Sequence, residues 1–422
     1  MADDGRHNEG RERSATAHAT AADRRPQQQP EHDRLSEEAR EWQLRLETLL
    51  GTPATAGNAI RVLRNGVEIF PAMLDAIDSA QRTVDLVTFV YWEGDIAQRF
   101  ADTLSAAAAR GCRVRVLLDA VGARRLSAEL IEEMTRAGCD VRWFRPIRDS
   151  LPKVGDIDHR THRKILVCDA EVGFTGGVGI ADEWDGDARD ETEWRDTHVE
   201  IRGPAVAGLV AGFIDNWADQ NDDGFEPRAE PIVDPSPRGS STCSVIRGSA
   251  ETGASELWRL MLGLITCAER RIRIATAYFN PDERLLDALS DAVARGVDVS
   301  ILLPGEHADK RFVQIAGEST YASLLDAGVD IRTYDVSMMH AKVITVDGAV
   351  ATVGSANMNQ RSTQFDEETN IVVFDPGVVA VLDRHLDDDH EHSTLLDPAD
   401  WAERGLLQRT AERVSGVVSG WL

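Results

Sequence analysis

The sequence contains the same eight-residue pattern twice, as HRKILVCD at residues 162–169 and as HAKVITVD at residues 340–347. In both copies a histidine, a lysine and an aspartate interrupt a run that otherwise has the apolar composition of a buried strand. The copies are 178 positions apart (340 − 162), and the same spacing relates a following glycine, Gly176, to Gly354. An internal duplication of a whole domain explains this spacing.

Lysine is scarce in this chain, so its place within the pattern is informative. Of the 46 Lys and Arg residues only four are lysines, and Lys164 and Lys342 stand in the two copies. With 11 histidines, four lysines and 72 acidic residues in 422 residues, the number of His-x-Lys pairs with an acid seven positions after the histidine that is expected by chance is roughly 0.02. The sequence contains two. Because ammonium and guanidinium groups differ in reach and geometry, these two positions are expected to require lysine.

Strand and helix patterns alternate along both copies. In the first copy, residues 83–92 and 112–122 have the composition of strands, and residues 95–111 between them have that of a helix ending at a glycine. Residues 271–305 repeat the order of strand, helix, glycine and strand. The pattern predicts an α/β fold of two duplicated domains with mixed, mostly parallel sheets and a site at their pseudo-two-fold interface.

Composition sets the expected limits of these domains. Residues 1–34 are polar and charged and are expected to be disordered, and residues 35–50 have the pattern of an amphipathic helix. Residues between the copies are rich in Pro, Gly, Asp and Ser, which is typical of a linker. The predicted organisation is a disordered polar tail at 1–40, a first half at 41–217, a linker at 218–242, a second half at 243–395 and a C-terminal helix at 396–422.

Charge and cysteine content restrict the class of protein. A formal net charge of −26 argues against a protein that coats nucleic acid and against general adhesion to anionic membranes. The five cysteines are scattered and lack the spacing of metal ligands or disulfides, which favours the reducing cytoplasm. The N-terminus shows no signal peptide, and no run approaches the roughly 18 apolar residues of a transmembrane helix.

The histidine and the lysine of each copy share one face of a strand, because they are two residues apart. With aliphatic side chains on the opposite face, His162 and Lys164, like His340 and Lys342, are expected to face a pocket. The alternative is that the histidines are satisfied core residues and that the lysines extend to the surface. The duplication and the scarcity of lysine favour the pocket.

These residues resemble the phospholipase D superfamily, whose mark is a paired His-x-Lys-x-x-x-x-Asp motif followed by Gly-Gly or Gly-Ser and Asn. The chain looks most like the cardiolipin synthase-like branch of that superfamily. Other similar stretches are ARGCRVRVLLDAVG, WRDTHVEIRGPAV and GSANMNQRS, and the resemblance extends over about residues 57–410.

The resemblance implies a chemistry that fits these residue types. Neutral imidazole attacks phosphorus to form a covalent phospho-histidine, and a second histidine protonates the departing alkoxide and then deprotonates the incoming alcohol or water. By family habit His162 is the nucleophile and His340 the acid, while Lys164 and Lys342 hold the non-bridging oxygens. No cofactor and no metal are expected, because no cluster of His, Asp and Glu residues indicates a metal site. The acidic run at 385–393 is a candidate divalent-ion site, but a solvated acidic surface explains it better.

The resemblance also implies roles for residues around the motifs. An acidic residue downstream in each half is expected to orient a histidine, and Asp196 and Glu368 are at the matching positions. Asp169 and Asp347 are counted with the catalytic set, although they are expected to stabilise the hairpin rather than to contact the phosphate. The remaining phosphate-contacting or orienting candidates are Gly177, Ser355 and Asn357.

One position departs from the family pattern. The family has Asn seventeen residues after each motif histidine, and Asn357 fills this place in the second half, but the first half has Gly179. One phosphate-contacting amide is therefore absent, and the two halves are not expected to be equivalent.

The leading functional hypothesis is phosphatidyl transfer between glycerophospholipids with a phosphatidylglycerol-like substrate. The chain would act as a monomer in peripheral contact with the inner face of the cell membrane, and the C-terminal helix would pack on the domain or place Trp421 at the bilayer. A phospholipase D hydrolase, and a soluble nuclease or phosphodiesterase of the same superfamily, are alternatives, although the charge counts against nucleic acid. A non-catalytic phosphate- or lipid-binding protein is a third possibility.

Overall fold

The computed structural model describes residues 25–146, 159–220, 226–249, 256–309 and 320–402. Most of the predicted polar tail lies outside these ranges, and so does the predicted C-terminal helix after residue 402.

The first half alternates strands and helices up to the motif and continues with strands that follow one another as hairpins. Its elements are α1 (Arg25–Leu50), β1 (Thr55–Arg64), α2 (Asn65–Ser79), β2 (Thr83–Thr88), α3 (Asp95–Ala109), β3 (Arg113–Asp119), α4 (Ala128–Ala137), β4 (Asp140–Phe144), β5 (Ile165–Cys168), β6 (Val172–Gly176), β7 (Thr197–Arg202) and α5 (Val206–Asp219).

The second half repeats this plan and adds short elements near its motif and at its end. They are β8 (Ser241–Gly248), α6 (Glu256–Thr266), β9 (Arg271–Ala275), β10 (Phe279–Asn280), α7 (Glu283–Ala294), β11 (Asp298–Pro304), a helix that includes 320–327, β12 (Asp330–Tyr334), β13 (Val343–Val346), β14 (Val350–Gly354), β15 (Met358–Asn359), α8 (Gln360–Gln364), β16 (Glu368–Val373), α9 (Pro376–Glu391), β17 (Ser393–Leu395) and α10 (Pro398–Ala402).

Across the described residues, the strands of both halves join in one sheet of fifteen strands. The first half contributes the order β1-β7-β6-β5-β2-β3-β4, and the second the order β8-β16-β14-β13-β9-β11-β12, with β17 at the edge. The two orders match strand for strand, and β1 pairs with β8 in antiparallel orientation where the halves meet. The predicted α/β class and its duplication are confirmed.

Parallel pairing is less common in this sheet than the sequence suggested. Among the described strands of this sheet it is limited to β2–β3, β3–β4, β9–β11 and β11–β12, and the short strands β10 and β15 form a separate parallel pair. The sheet is mixed, as predicted, but the expectation that it is mostly parallel is wrong. Helical crossovers produce the parallel pairs, whereas the motif hairpin β5–β6 and the next strand β7 pair in antiparallel orientation.

Helix α4 illustrates how the local sequence defines an element. The side chain of Ser127 accepts a hydrogen bond from the backbone N–H of Leu130 at 3.3 Å, which caps the N-terminus. The helix ends at Gly138, whose φ of 106° lies in the left-handed region that glycine adopts without a steric penalty. The chain then turns directly into β4, which pairs with β3.

The halves share part of their hydrophobic core. Each half has its own cluster, and a third cluster includes Val87 and Ile165 of the first half with Ala275 and Val343 of the second. Helices α5 and α9 contribute side chains to this shared cluster. Because burying an aliphatic side chain stabilises a protein by about 1.5–3 kcal/mol, the shared cluster holds the halves in one arrangement.

Helix α1 begins earlier than the sequence suggested. Its side chains Ala39, Trp42, Leu46 and Leu50 are buried against the core of the second half, at the three- and four-residue spacing of one helical face. The amphipathic helix predicted at 35–50 is therefore present, but the assignment of all residues up to 40 to a disordered tail is wrong. No helix within the described part of the chain has the length and apolar composition needed to span a membrane.

Candidate active site

Each motif histidine precedes a short buried strand in the middle of its half. Strand β5 lies between β2 and β6, and β13 lies between β9 and β14. The Lys164 ammonium turns back and donates to the carbonyl of His162 at 2.9 Å, and Lys342 donates to the carbonyl of His340 at 2.6 Å. Both lysines are buried. The two-residue spacing therefore places an ammonium group beside each histidine.

The histidines bind carboxylates from the opposite half. Nδ1 of His162 lies 2.9 Å from Oε1 of Glu368, and Nδ1 of His340 lies 2.7 Å from Oδ2 of Asp196. Both carboxylates are fully buried. The sequence located the two acids but did not indicate that the pairs cross between the halves. A carboxylate at Nδ1 fixes the tautomer in which Nε2 lacks a proton and can act as a nucleophile or base.

Backbone hydrogen bonds hold the crossed pairs in register. The backbone N–H of His162 donates to the carbonyl of Glu367 at 2.9 Å, and that of His340 donates to the carbonyl of Arg195 at 2.7 Å. Each carbonyl belongs to the residue that immediately precedes the orienting acid. The segment before each histidine therefore runs beside the acid-bearing segment of the other half.

Two buried arginines fix the residues next to the orienting acids. Arg195 binds the carboxylate of Asp389 with N–O distances of 2.8 to 3.0 Å, and Arg163 binds Glu367 at 2.9 Å. Both pairs join the first half to the second. In a chain with 46 basic and 72 acidic residues, nothing in the sequence distinguished these arginines from solvent-exposed ones.

The environment of both histidines favours the uncharged ring. Burial lowers the pKa of His162 to about 4 despite the opposing effect of Glu368. Burial and the charge of Lys342 lower the pKa of His340 to about 3. Lys342 also lowers the pKa of His162, and Lys164 lowers that of His340, so the groups of the two halves share one electrostatic environment. Neutral imidazole at pH 7 is the form that can attack phosphorus.

Burial also shifts the charged partners of the histidines. It lowers the pKa of Lys164 to about 8 and that of Lys342 to about 7, against the effect of the buried carboxylates. For Glu368, burial is outweighed by His162 and Lys164, and the pKa falls to about 2. Burial of Asp196 is likewise outweighed by His340 and Lys342, which lowers its pKa. A phosphodiester anion between the lysines would favour their charged form.

The two motif aspartates lie at the far end of the strand from the histidines. The carboxylate of Asp169 accepts three backbone N–H bonds, from residues 81–83, at 2.7 to 2.9 Å. Asp347 accepts three from residues 269–271 at 2.8 to 3.0 Å. These bonds fasten the motif hairpin to the start of β2 and of β9, which agrees with the hairpin role expected for the two aspartates, and both have a left-handed φ, of 55° and 56°. Their place in the catalytic set stays a prediction.

The orienting acids are held differently in the two halves. Ser355 donates its hydroxyl to Oε2 of Glu368. At the corresponding position, Gly177 leaves room for the acid, because a Cβ there would lie 2.2 Å from a carboxylate oxygen of Asp196. Asp196 instead accepts a hydrogen bond from the indole Nε1 of Trp184 at 2.9 Å. Trp184 was not predicted from the sequence, where its only signal is its position in the Gly-rich stretch after the motif.

The departure at Gly179 has a steric reason. A Cβ at this position would lie 2.6 Å from Cβ of Val90 and 3.3 Å from the ring of Trp184. An asparagine does not fit there, whereas its counterpart Asn357 is buried in the second half. Within the described residues the amide oxygen of Asn357 has no hydrogen-bond partner. The expected inequality of the two halves is thus visible in the side chains that fill each position.

Aromatic rings surround the two histidines unequally. Phe89 meets His162 edge to face, with ring centroids 5.1 Å apart. His340 is near the rings of Trp184, Trp194 and Tyr278, at centroid distances of 5.1, 5.5 and 6.5 Å. These aromatic residues could not be selected from the sequence, because they come from several segments that meet only in the fold.

A metal site within the described ranges would need several ligand side chains close together. No group of three or more His, Cys, Asp or Glu side chains there is placed to hold a metal ion. In the acidic run at 385–393, Asp389 is fully buried and binds Arg64 and Arg195. That carboxylate therefore serves an ion-pair network rather than the solvated surface expected for the run.

Two solved structures have a fold similar to that of this chain. A phosphatidylserine synthase from Haemophilus influenzae superposes with a TM-score of 0.67 at 16% sequence identity, covering 92% of this chain and 100% of that one. A polyphosphate kinase from Porphyromonas gingivalis superposes with a TM-score of 0.53 at 13% identity, covering 85% of this chain and 53% of that one. At these identities the similarity concerns the fold alone.

Sequence comparisons identify the family. The sequence model described as "Cardiolipin synthase, PLD-like domain" matches residues 73–195 and 261–390, one segment in each half. A cardiolipin synthase from Geobacillus kaustophilus is 35% identical over 386 residues, which cover 89% of this chain and 75% of that protein. Cardiolipin synthase 2 from Bacillus anthracis is 33% identical over 368 residues, covering 85% and 70%. The chain belongs to the cardiolipin synthase family with phospholipase D-like domains.

Proposed function

We propose that this protein transfers a phosphatidyl group between glycerophospholipids, as its relatives named cardiolipin synthase imply, and that the group is carried on His162. The observation that supports this most is the crossed pair of histidine–carboxylate bonds, with a buried lysine beside each ring. Two oriented imidazoles are what an in-line exchange at phosphorus requires, one as nucleophile and one as acid and base.

In the first step Glu368 holds Nδ1–H of His162, and Nε2 attacks phosphorus while the bond to the departing glycerol oxygen breaks. His340 gives that oxygen its proton, which requires the phosphate anion to raise the pKa of the ring. In the second step the acceptor hydroxyl returns a proton to His340 and displaces His162 from phosphorus. Lys164 and Lys342 neutralise the non-bridging oxygens in both steps, and the cycle consumes no net proton.

The proposal extends to the setting in which the protein works. The crossed pairs are complete within one chain, which supports a monomer. The five cysteines are free and four are buried, which supports a reducing compartment and action at the inner face of the cell membrane. The substrate resides in the bilayer, so we propose peripheral membrane contact. Helix α5 ends at Asp219 and β8 begins at Ser241, which supports a linker near 218–242 between halves at 41–217 and 243–395.

The direct test incubates purified protein with phosphatidylglycerol vesicles in the presence of EDTA and resolves the lipids by mass spectrometry. We expect cardiolipin and free glycerol from the wild type, and neither from the matched variants His162→Ala and His340→Ala. Phosphatidic acid without cardiolipin would identify a hydrolase instead. The absence of cardiolipin, phosphatidic acid and headgroup exchange, together with cleavage of single-stranded DNA, would replace the proposal with the nuclease alternative.

A further inference from the structure

The indole of Trp184 makes a polar contact that no motif predicts. Its side chain is fully buried at 1% exposure, and Nε1 donates to Oδ2 of Asp196 at 2.9 Å. The same oxygen lies 2.7 Å from Nδ1 of His340. One carboxylate oxygen therefore joins the indole N–H to the histidine ring.

Packing fixes the indole in this orientation. Its ring meets the ring of Trp194 at a centroid distance of 4.4 Å and that of His340 at 5.1 Å. Its backbone is also confined, because a Cβ at Gly66 would lie 1.9 Å from the Trp184 carbonyl oxygen. Glycine at position 179 completes the space for the ring. A group held this firmly can direct the carboxylate that it contacts.

In the second half a different group donates a hydrogen bond to the orienting acid. Ser355 donates its hydroxyl to Glu368, the acid that binds His162. In the first half the position of that serine is Gly177, which has no hydroxyl to donate. The described surroundings of Asp196 supply the indole N–H and the backbone N–H of Thr197, at 2.7 Å, in its place.

We propose that Trp184 is a positioning residue for the reaction: its indole N–H holds Asp196 as the acceptor for Nδ1 of His340, the part that Ser355 takes for Glu368 and His162. The inference rests on the proposed function, in which His340 is the acid and base. Without the indole N–H, Asp196 gains an acceptor site that no donor fills and loses one of the bonds that set its orientation.

The test substitutes Trp184→Phe, which keeps an aromatic ring and removes the donor. Hydrogen bonds to charged groups are strong enough that we expect kcat for phosphatidyl transfer to fall about tenfold to a hundredfold, with little change in KM. Removing a donor makes Asp196 a stronger acceptor for the imidazolium, so the limb of the pH–rate profile that reports His340 should move up by roughly half a unit to one unit.

Trp258→Phe is the matched control, because Trp258 also donates its indole N–H to a carboxylate, Oδ2 of Asp282 at 2.7 Å, and belongs to α6 of the second half rather than to the site. We expect its kcat and its pH profile to equal those of the wild type, and both variants to keep the wild-type circular dichroism spectrum. Equal losses in both variants, or an unchanged pH profile in Trp184→Phe, would overturn the proposal.

A spectroscopic measurement separates this inference from the proposed function. Nitrogen-15 NMR of labelled histidines reports the tautomer and the pKa of His340, assigned with a His340→Asn variant, whether or not the lipid assay shows activity. We expect Trp184→Phe to shift the His340 nitrogens and raise the pKa of that ring while leaving the His162 signals in place. An unaltered His340 spectrum would refute the role of Trp184 even if cardiolipin forms, and an altered spectrum without cardiolipin would refute only the proposed function.

Discussion

His162 binds Glu368, which is held by the hydroxyl of Ser355, whereas His340 binds Asp196, which is held by the indole of Trp184. The bond between ring and carboxylate is thus repeated in both halves, but the longer acid is combined with a serine and the shorter acid with a tryptophan. The duplication preserved the geometry at each Nδ1 and left the supporting groups free to diverge.

The divergence arises in the segment between motif and acid. The orienting acid lies 34 residues after the motif histidine of the same half in the first half (196 − 162) and 28 residues after it in the second (368 − 340). The longer segment of the first half contains Trp184 and Trp194, the rings that pack near His340. Because each acid binds the opposite histidine, the longer segment of the first half contributes to the surroundings of the histidine in the second.

Removal of either histidine ring has the largest expected effect on activity. His162→Asn and His340→Asn should each reduce phosphatidyl transfer by roughly 10⁴-fold or more, because nucleophile and acid act as one unit. A phosphodiester with a p-nitrophenol leaving group needs no acid. With this substrate, His340→Asn should still accumulate the phospho-histidine, whereas His162→Asn should not. Intact-protein mass spectrometry detects the phospho-histidine. The opposite result would exchange the two roles.

The crossing of the pairs makes a prediction for the acids. Asp196→Asn and Glu368→Gln remove the charge that fixes each tautomer, and each should reduce transfer by roughly 10²- to 10⁴-fold. With the p-nitrophenyl substrate, Asp196→Asn should resemble the His340 variant and form the phospho-enzyme, although Asp196 belongs to the same half as His162. If Glu368→Gln formed it instead, the pairing would not cross in solution.

Exchanging the small residues tests the unequal support of the acids. In Gly177→Ser the new Cβ would displace the carboxylate of Asp196, so we expect transfer to fall about a hundredfold. The reciprocal Ser355→Gly removes one hydrogen bond to Glu368 and should cost about tenfold. Initial rates with phosphatidylglycerol vesicles measure both. Equal losses of rate in the two variants would contradict the unequal support of the two acids.

The motif aspartates should affect stability more than chemistry. Asp169→Asn and Asp347→Asn weaken charged hydrogen bonds to three backbone N–H groups each, and we expect each to lower the free energy of unfolding by about 2 kcal/mol in urea titrations. The rate of the folded enzyme should stay within about threefold of the wild type. A hundredfold loss of rate at unchanged stability would place these residues in the catalytic set.

The lowered pKa values of His162 and His340 predict that the free energy of unfolding depends on pH, which is the smallest of the expected effects. Folding lowers the pKa of His162 to about 4 and that of His340 to about 3. The unfolded chain therefore binds protons first as pH falls below the ordinary histidine pKa, and stability should decrease by roughly 1 kcal/mol per histidine for each pH unit between 6.5 and 4.5. Urea titrations of the wild type and of His162→Asn, which should show a shallower slope, check this; stability that rises toward pH 4.5 would contradict it.

The sequence predicted the parts of the site whose spacing is short. The pairs His162–Lys164 and His340–Lys342, and the hairpin that follows each pair, depend on residues two to ten positions apart. Strand and helix alternation over residues 83–122 and 271–305 predicted the duplicated α/β fold. The proportion of parallel strands was overestimated, because helical crossovers have a stronger sequence pattern than the four- and five-residue strands of the motif hairpins.

The repeated unit and the residue types that carry its chemistry were therefore predictable, since these follow from local order along the chain. Which carboxylate meets which histidine depends on the packing of the two halves, because the partners are 206 and 144 residues apart and come together through the shared core. The same holds for Trp184, which acts on a histidine of the other half. Contacts of this kind depend on how two surfaces fit, and no spacing within either half encodes that fit.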